Sequence, residues 1–285
     1  MSIFADIESL EEKVQKILAE AGSYSSVDDF VRTYTNTIID SLGDFSALDL
    51  NLLDETGLDT IVEKAIRENA DLINVDLIED IQRSVNEVID NSVAFYREQG
   101  IDFPKLKEAV NRTDAAQEIT DLFTTNMAEM RSELLDGTID VLKDELAQGF
   151  FNRSDLEELI FQYADGKAHY ARTNARMVVS SYNRIGREQV RDSANLQHGF
   201  YYGDARVNTR PFCLRCIGKV FTLQDIEQMD NGQLSPVKIY AGGWNCIHSW
   251  LWVDPEWDEE LKDKINTDPV VPVEEGSLKI KAPSN

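Results

Sequence analysis

The 285-residue chain contains no uninterrupted apolar run approaching the roughly 18 residues that mark a membrane-crossing helix. It begins MSIFADIESLEEK, which turns acidic within a few residues and lacks the basic-then-apolar order of a secretory signal. That opening predicts a protein made and kept in a reducing cytoplasm. Cysteine and histidine are scarce, with three of each. Any disulfide would leave an odd thiol, which suits a cytosolic chain poorly. Cations are few as well: 28 Lys and Arg stand against 52 Asp and Glu, a net charge of −24. Free DNA is therefore a poor partner for the molecule as a whole, because phosphate binding needs cations. Catalytic signatures are missing too. There is no Walker A loop, dinucleotide fingerprint, G-x-S-x-G or H-E-x-x-H. The zinc-deaminase pattern fails, since Phe212 separates Pro211 from Cys213, and His198 is followed by Gly199 and Phe200 with no glutamate. These omissions predict a chain that is not an enzyme, with no catalytic residues to name and no membrane contact.

What is present is a folding composition, 42% hydrophobic with a mean hydropathy of −0.35, unlike that of a disordered chain. The charge is divided unevenly. Residues 1–150 carry −21 and residues 151–285 carry −3, and within the latter residues 167–219 hold +7. The first half has helical periodicity. Ile7, Leu10, Val14, Ile17 and Leu18 recur at steps of three and four, as do Val27, Phe30, Val31, Tyr34, Ile38 and Leu42. Further runs cover about 74–99 and about 113–149, separated by the breakers Gly100 and Pro104. The expectation is a helical bundle or arm with a solvated acidic face.

A longer helix is predicted from Ser154, which has capping-box spacing to Glu157, to about Asn195. At roughly 100° per residue, Arg172, Arg176, Arg184, Arg187 and Arg191 fall within roughly 120° of one another, and the apolar residues from Ile160 to Ile185 fall on the other side. The five arginines read either as a solvated face paired with the acidic half or as a docking surface for an acidic partner or nucleic acid.

After Gly199 the texture changes. Residues 200–254 are rich in Gly, Pro and Trp, with short alternating runs at Lys219–Phe221 and Ser249–Val253 that predict small strands. Phe221–Glu227 reads as a strand feeding a short helix, with Thr222 as N-cap and Asp225 in the first turn. A core this small usually needs a staple. All three cysteines lie here: Cys213 and Cys216 in a C-x2-C pair, then Cys246 two residues before His248. Four soft ligands in two close pairs could form a closed tetrahedral Cys3His zinc site, structural rather than catalytic. Two other readings stay open: the cysteines as buried small hydrophobes, or a disulfide from Cys213 or Cys216 to Cys246.

Several residues in this segment occur in an order that resembles a known family. Gly203-Asp204-Ala205-Arg206 and Thr209-Arg210-Pro211-Phe212-Cys213 are similar to the D-x-R-T-R-P-F-C signature of phage minor head (head morphogenesis) proteins, the Mu F-like family. Gly218-Lys219-Val220-Phe221-Thr222, Asn231-Gly232-Gln233, Pro236-Val237 and Tyr240-Ala241-Gly242-Gly243-Trp244-Asn245-Cys246-Ile247-His248-Ser249-Trp250 resemble the elements that follow, and the helix from Ala171-Arg172-Thr173 resembles the one before. Val207-Asn208 interrupt the first element, and Ile247 stands where the family has arginine. The likeness spans about residues 165–254 and leaves the acidic half outside. It implies a low-copy virion protein of the phage head, assembled in the host cytoplasm near the portal vertex. Portal protein, major capsid or scaffold protein, and packaged DNA would be its partners. It also makes Asp204, Arg206, Arg210, Gly218, Gly242, Gly243, Trp244 and Trp250 structural motif residues, with Asp204 and Arg206 read as a structural pair. The alternative is a zinc-stapled nucleic-acid-binding regulator. The expected architecture is mainly α: an acidic helical region over 1–150, the long amphipathic helix over 151–198, a small loop-rich α+β Cys/His module over 199–254 and an extended tail over 255–285.

Overall fold

Apolar side chains at three- and four-residue steps build most of the chain as helices, because that spacing gives each helix one face to bury. The structure, a computed structural model, describes residues 3–43, 55–70, 75–103, 105–147, 153–244 and 246–268. The fold is mainly α, as expected. Helices α1 (Ile3–Ala21), α2 (Ser25–Gly43), α4 (Leu77–Glu98), α6 (Asp114–Ala147) and α7 (Arg153–Ala194) match the expected runs. Two more, α3 (Glu55–Glu68) and α5 (Leu106–Val110), did not stand out in the sequence. Pro104 and residues 148–149 lie outside the described residues.

The helices and strands group into two compact units that do not follow sequence order. One comprises Met1–Leu18, Ser84–Ile119 and Met177–Asn285, and the other Ala19–Arg83 and Thr120–Arg176. This differs from the expected boundaries near residues 150, 198 and 254, because α1, α4, α6 and α7 each contribute residues to both units.

In the second of these units, the apolar face of α2 is buried at Val27, Phe30, Val31, Tyr34 and Ile38, and Leu58, Val62 and Ala65 of α3 are buried too. Fully burying a side chain such as Val, Ile or Phe contributes about 1.5–3 kcal/mol. Tyr34 stacks on Phe30, and its hydroxyl lies 2.9 Å from Thr138 Oγ1, so its polar end is satisfied inside the core.

The other unit holds a three-stranded antiparallel sheet of order β2-β1-β3: β1 (His198–Tyr202), β2 (Val220–Thr222) and β3 (Ser249–Val253). Tyr201 of β1 lies opposite Trp250 of β3, and Phe200 lies opposite Val220 of β2. All of β3 is buried, which marks a sheet covered on both faces. β2 runs into α9 (Leu223–Gln228) through the expected cap. Asp225 N donates to Thr222 Oγ1 at 3.1 Å, and Thr222 N donates back to Asp225 Oδ2. Two other short helices, α8 (Pro211–Cys216) and α10 (Val237–Tyr240), complete the module.

The expected extended tail is partly folded. Asp254 and Asp258 side chains accept the backbone N–H groups of Glu256 and Glu260, opening a 3-10 turn (Pro255–Trp257) and α11 (Glu259–Asp263). Val220 then bridges in parallel to Ile265, with Asn266 N donating to Val220 O at 2.7 Å. Residues 269–285 of that tail lie outside the described residues.

Candidate metal centre

Cys213, Cys246 and His248 come together from two separate segments. Cys213 sits on α8, while Cys246 and His248 lie between α10 and β3, and Tyr201 reaches the same point from β1. Cys213 Sγ and Cys246 Sγ are 3.7 Å apart, and Cys246 Sγ is 3.5 Å from His248 Nδ1. All three residues are buried. The far ring nitrogen, His248 Nε2, is 3.1 Å from the Asp204 carbonyl oxygen. That contact places the ring proton on Nε2 and turns the Nδ1 lone pair toward the sulfurs, the arrangement by which metal-binding histidines are oriented.

The donor geometry fits a metal ion. With Zn–S near 2.3 Å and Zn–N near 2.0–2.1 Å, a tetrahedral centre has S···S edges of about 3.8 Å and S···N edges of about 3.5 Å. The observed 3.7 and 3.5 Å agree. The group could therefore hold a metal ion. The two thiols are also polarised against each other. Cys246 is held below the ordinary thiol range by the hydrogen bond from Cys213 and, beyond that, by His248 and Arg184. Cys213 is pushed up by that same hydrogen bond and by burial. The thiolate is the form in which a cysteine ligates a metal.

Cys216 does not belong to this set, which corrects the four-ligand expectation. Three residues of helix advance the chain by about 4.5 Å along its axis, and α8 carries Cys216 past the cluster. It remains a buried thiol, pushed up to about 12 by burial.

The backbone around the centre is close-packed. A Cβ on Gly242 would lie 2.2 Å from Cys213 Sγ and 2.9 Å from Cys246 Sγ. A Cβ on Gly203, where φ is +131°, would lie 2.7 Å from His248 Cδ2. Only glycine fits at either position. Arg210 Nη1 donates to the Gly242 carbonyl at 3.0 Å, and its Nη2 to the Trp244 carbonyl. Trp244 N donates to Gln233 Oε1, Asn231 Nδ2 to the Leu234 and Ala241 carbonyls, and Trp250 Nε1 to the Val237 carbonyl. Gly218 follows α8, and its N–H donates to Tyr201 O at 2.8 Å. Gly243 has φ +93° and stands against the Gln233 side chain. Asp204 serves through its carbonyl rather than its carboxylate. Arg206 is exposed, its backbone N–H donating to Thr209 Oγ1. Among the described residues no ion pair joins Asp204 to Arg206.

The arginine stripe is not a surface. Arg172 pairs with Asp28 at 2.6 Å and Asp165 at 2.8 Å, and the Arg176 guanidinium packs against Gly22. Arg184, Arg187 and Arg191 are 3%, 0% and 8% exposed. From Met177 onward α7 is buried on nearly every side, so charge does not mark a wet face there. Arg184 Nε and Nη2 donate to the His248 carbonyl, Nη2 also to the Cys246 carbonyl, and Nη1 to the Ile239 carbonyl. Arg187 reaches Ser92, the Tyr202 hydroxyl and the Trp250 carbonyl, and burial draws it down to about 10. Arg191 pairs with Glu188 at 2.7 Å and lies over the Trp252 ring.

Sequence reasoning missed Tyr201 and the scaffolding role of Arg184. The aromatic run Phe200-Tyr201-Tyr202 carried a strand signal that would have placed Tyr201. No signal in the chain marks an arginine that reads carbonyls. Among the described residues no helix is long and apolar enough to cross a membrane. The chain matches no family model, no curated protein and no solved structure.

Proposed function

We propose that this chain is a non-enzymatic minor head protein of a phage, of the Mu F-like head-morphogenesis type. It would be incorporated during procapsid assembly near the portal vertex and act in genome packaging or delivery. Portal protein, major capsid or scaffold protein and packaged DNA would be its partners, and its place would be the virion. One observation carries the reading. The separate pieces of the head-protein-like signature lock onto one another around the buried sulfurs and imidazole: Arg210 on Gly242 and Trp244, Gly242 on both sulfurs, Asp204 on His248, Asn231 on Ala241 and Trp250 on Val237. The signature residues thus maintain a rigid module, which is what an assembly domain requires.

Zinc is the ion we assign to the cluster. Two thiolates and an imidazole are soft-to-borderline donors that suit it, and a buried structural site adds folding free energy to a module short of core. The alternative of a nucleic-acid-binding regulator draws no support from the arginine stripe, since Arg184, Arg187 and Arg191 are buried. Mass spectrometry of purified particles tests the reading. The chain is expected to co-purify, at low copy, with portal and major capsid proteins. Particles that hold both proteins and lack this chain would contradict it.

A further inference from the structure

The cluster of two sulfurs and an imidazole nitrogen leaves one vertex of a tetrahedron to be filled, and the Tyr201 hydroxyl stands there. Tyr201 Oη is 3.4 Å from Cys213 Sγ and 3.7 Å from Cys246 Sγ. With Zn–O of about 2.0–2.2 Å and Zn–S of about 2.3 Å, an S···O edge spans about 3.5–3.7 Å. Four of the six edges joining these four donors are thereby accounted for: S···S at 3.7, S···N at 3.5 and S···O at 3.4 and 3.7 Å. The Tyr201 ring is held from several sides. It stacks on His248 at 5.8 Å between ring centroids, meets Phe212 edge-on at 6.1 Å and contacts Trp250 at 4.5 Å. The ring is fully buried, so its hydroxyl is positioned by packing rather than by solvent.

The loop that carries two of the ligands is fixed from α7: Arg184, itself buried, donates to the Cys246 and His248 carbonyls, so the fourth vertex is framed by packed side chains on one side and by a bonded backbone on the other.

We infer that Tyr201, as phenolate, is the fourth ligand of a Cys213–Cys246–His248–Tyr201 metal centre, and that Cys216 takes no part. On binding, the two thiol protons and the phenol proton leave to solvent, and four bonds to the ion replace them without any redox change. This rests on the assignment of a metal to the three-residue cluster, and the test separates the two.

The experiment uses the full chain, stripped of metal by a chelator under reducing conditions and titrated with zinc alone. The expected result is uptake of one zinc per chain together with the near-ultraviolet difference band of a single tyrosinate. Tyr201→Phe keeps the ring and its packing. It is expected to bind zinc more weakly and to lose the band entirely. Cys216→Ser is expected to retain both the stoichiometry and the band. Zinc uptake by the native chain without the band would overturn the phenolate while leaving the three-residue metal site standing. Loss of zinc in Cys216→Ser with the variant folded would restore the fourth cysteine and overturn the assignment. No uptake at all would overturn the metal reading beneath it.

Discussion

Arg184 and His248 are joined by two hydrogen bonds, with Nε and Nη2 of the guanidinium donating to the same carbonyl at 3.1 and 2.9 Å. Through this contact and its bonds to the carbonyls of Cys246 and Ile239, one side chain of α7 holds both flanks of the Cys/His loop. Arg184→Met would take the donor from the buried His248 and Ile239 carbonyls and leave the Cys246 carbonyl with Ser180 Oγ alone. The expected loss is on the order of 3 kcal/mol or more, since each unmade buried hydrogen bond costs about 1–3 kcal/mol. Arg184→Lys keeps the charge but not the planar fork and is expected to fall between the two. Denaturant titration of the full chain checks the order.

Two glycines on helices and loops should respond oppositely to alanine. At Gly242 the added methyl meets both sulfurs, so Gly242→Ala is expected to lose metal and to destabilise by about 1–3 kcal/mol, the usual overpacking range. Gly166 lies exposed within α7, with nothing within 4 Å of an added Cβ. Gly166→Ala is expected to stabilise by about 0.5–1 kcal/mol. Thermal melts of the two variants side by side decide it.

Ala241 is the C-cap of α10 and is held at φ +49°, ψ −115°, a conformation that favours glycine. Such strain costs about 1–3 kcal/mol. Ala241→Gly relieves it at the expense of one buried methyl, worth about 0.8 kcal/mol. The melting temperature is expected to rise by a few degrees, and a fall would place the strain elsewhere.

Glu11 provides a pH signature. Burial raises its carboxyl above the usual range, with Asp204 adding to the effect, and Glu11 Oε1 has no hydrogen-bond partner. A carboxyl whose folded value is raised binds its proton more readily in the folded state, so its contribution to stability falls as pH rises through that window. Glu11→Gln is expected to stabilise the protein at neutral pH, and the gain should vanish in acid, where the native carboxyl is protonated. Denaturant midpoints measured across pH check this.

Much of the helical fold was legible because its period is local. The apolar steps of α1, α2, α4 and α6 are printed in the sequence, and α7 ends within one residue of its expected bounds. Helix α3 carries the same step at Leu58, Ile61, Val62 and Ala65 and went unread, although all four are buried. The chemistry was half legible. Spacing picked out Cys213, Cys246 and His248, but it also recruited Cys216, because a C-x2-C pair looks the same whether it forms a turn or, as here, a helix. The arginines were misplaced for a different reason. A helical wheel assigns charge to solvent, and it has no term for a guanidinium satisfied by backbone carbonyls. Arg187→Glu is therefore expected to unfold its unit rather than to weaken a docking surface, as circular dichroism would show.

The account turns on the Cys/His cluster being a metal staple, and elemental analysis with a thiol count on one sample purified without reductant tests that most directly. The expected result is one zinc per chain, with Cys213 and Cys246 shielded from thiol reagents until a chelator is added. A metal-free protein in which Cys213 and Cys246 are disulfide-linked, or in which both thiols react freely without a chelator, would contradict it.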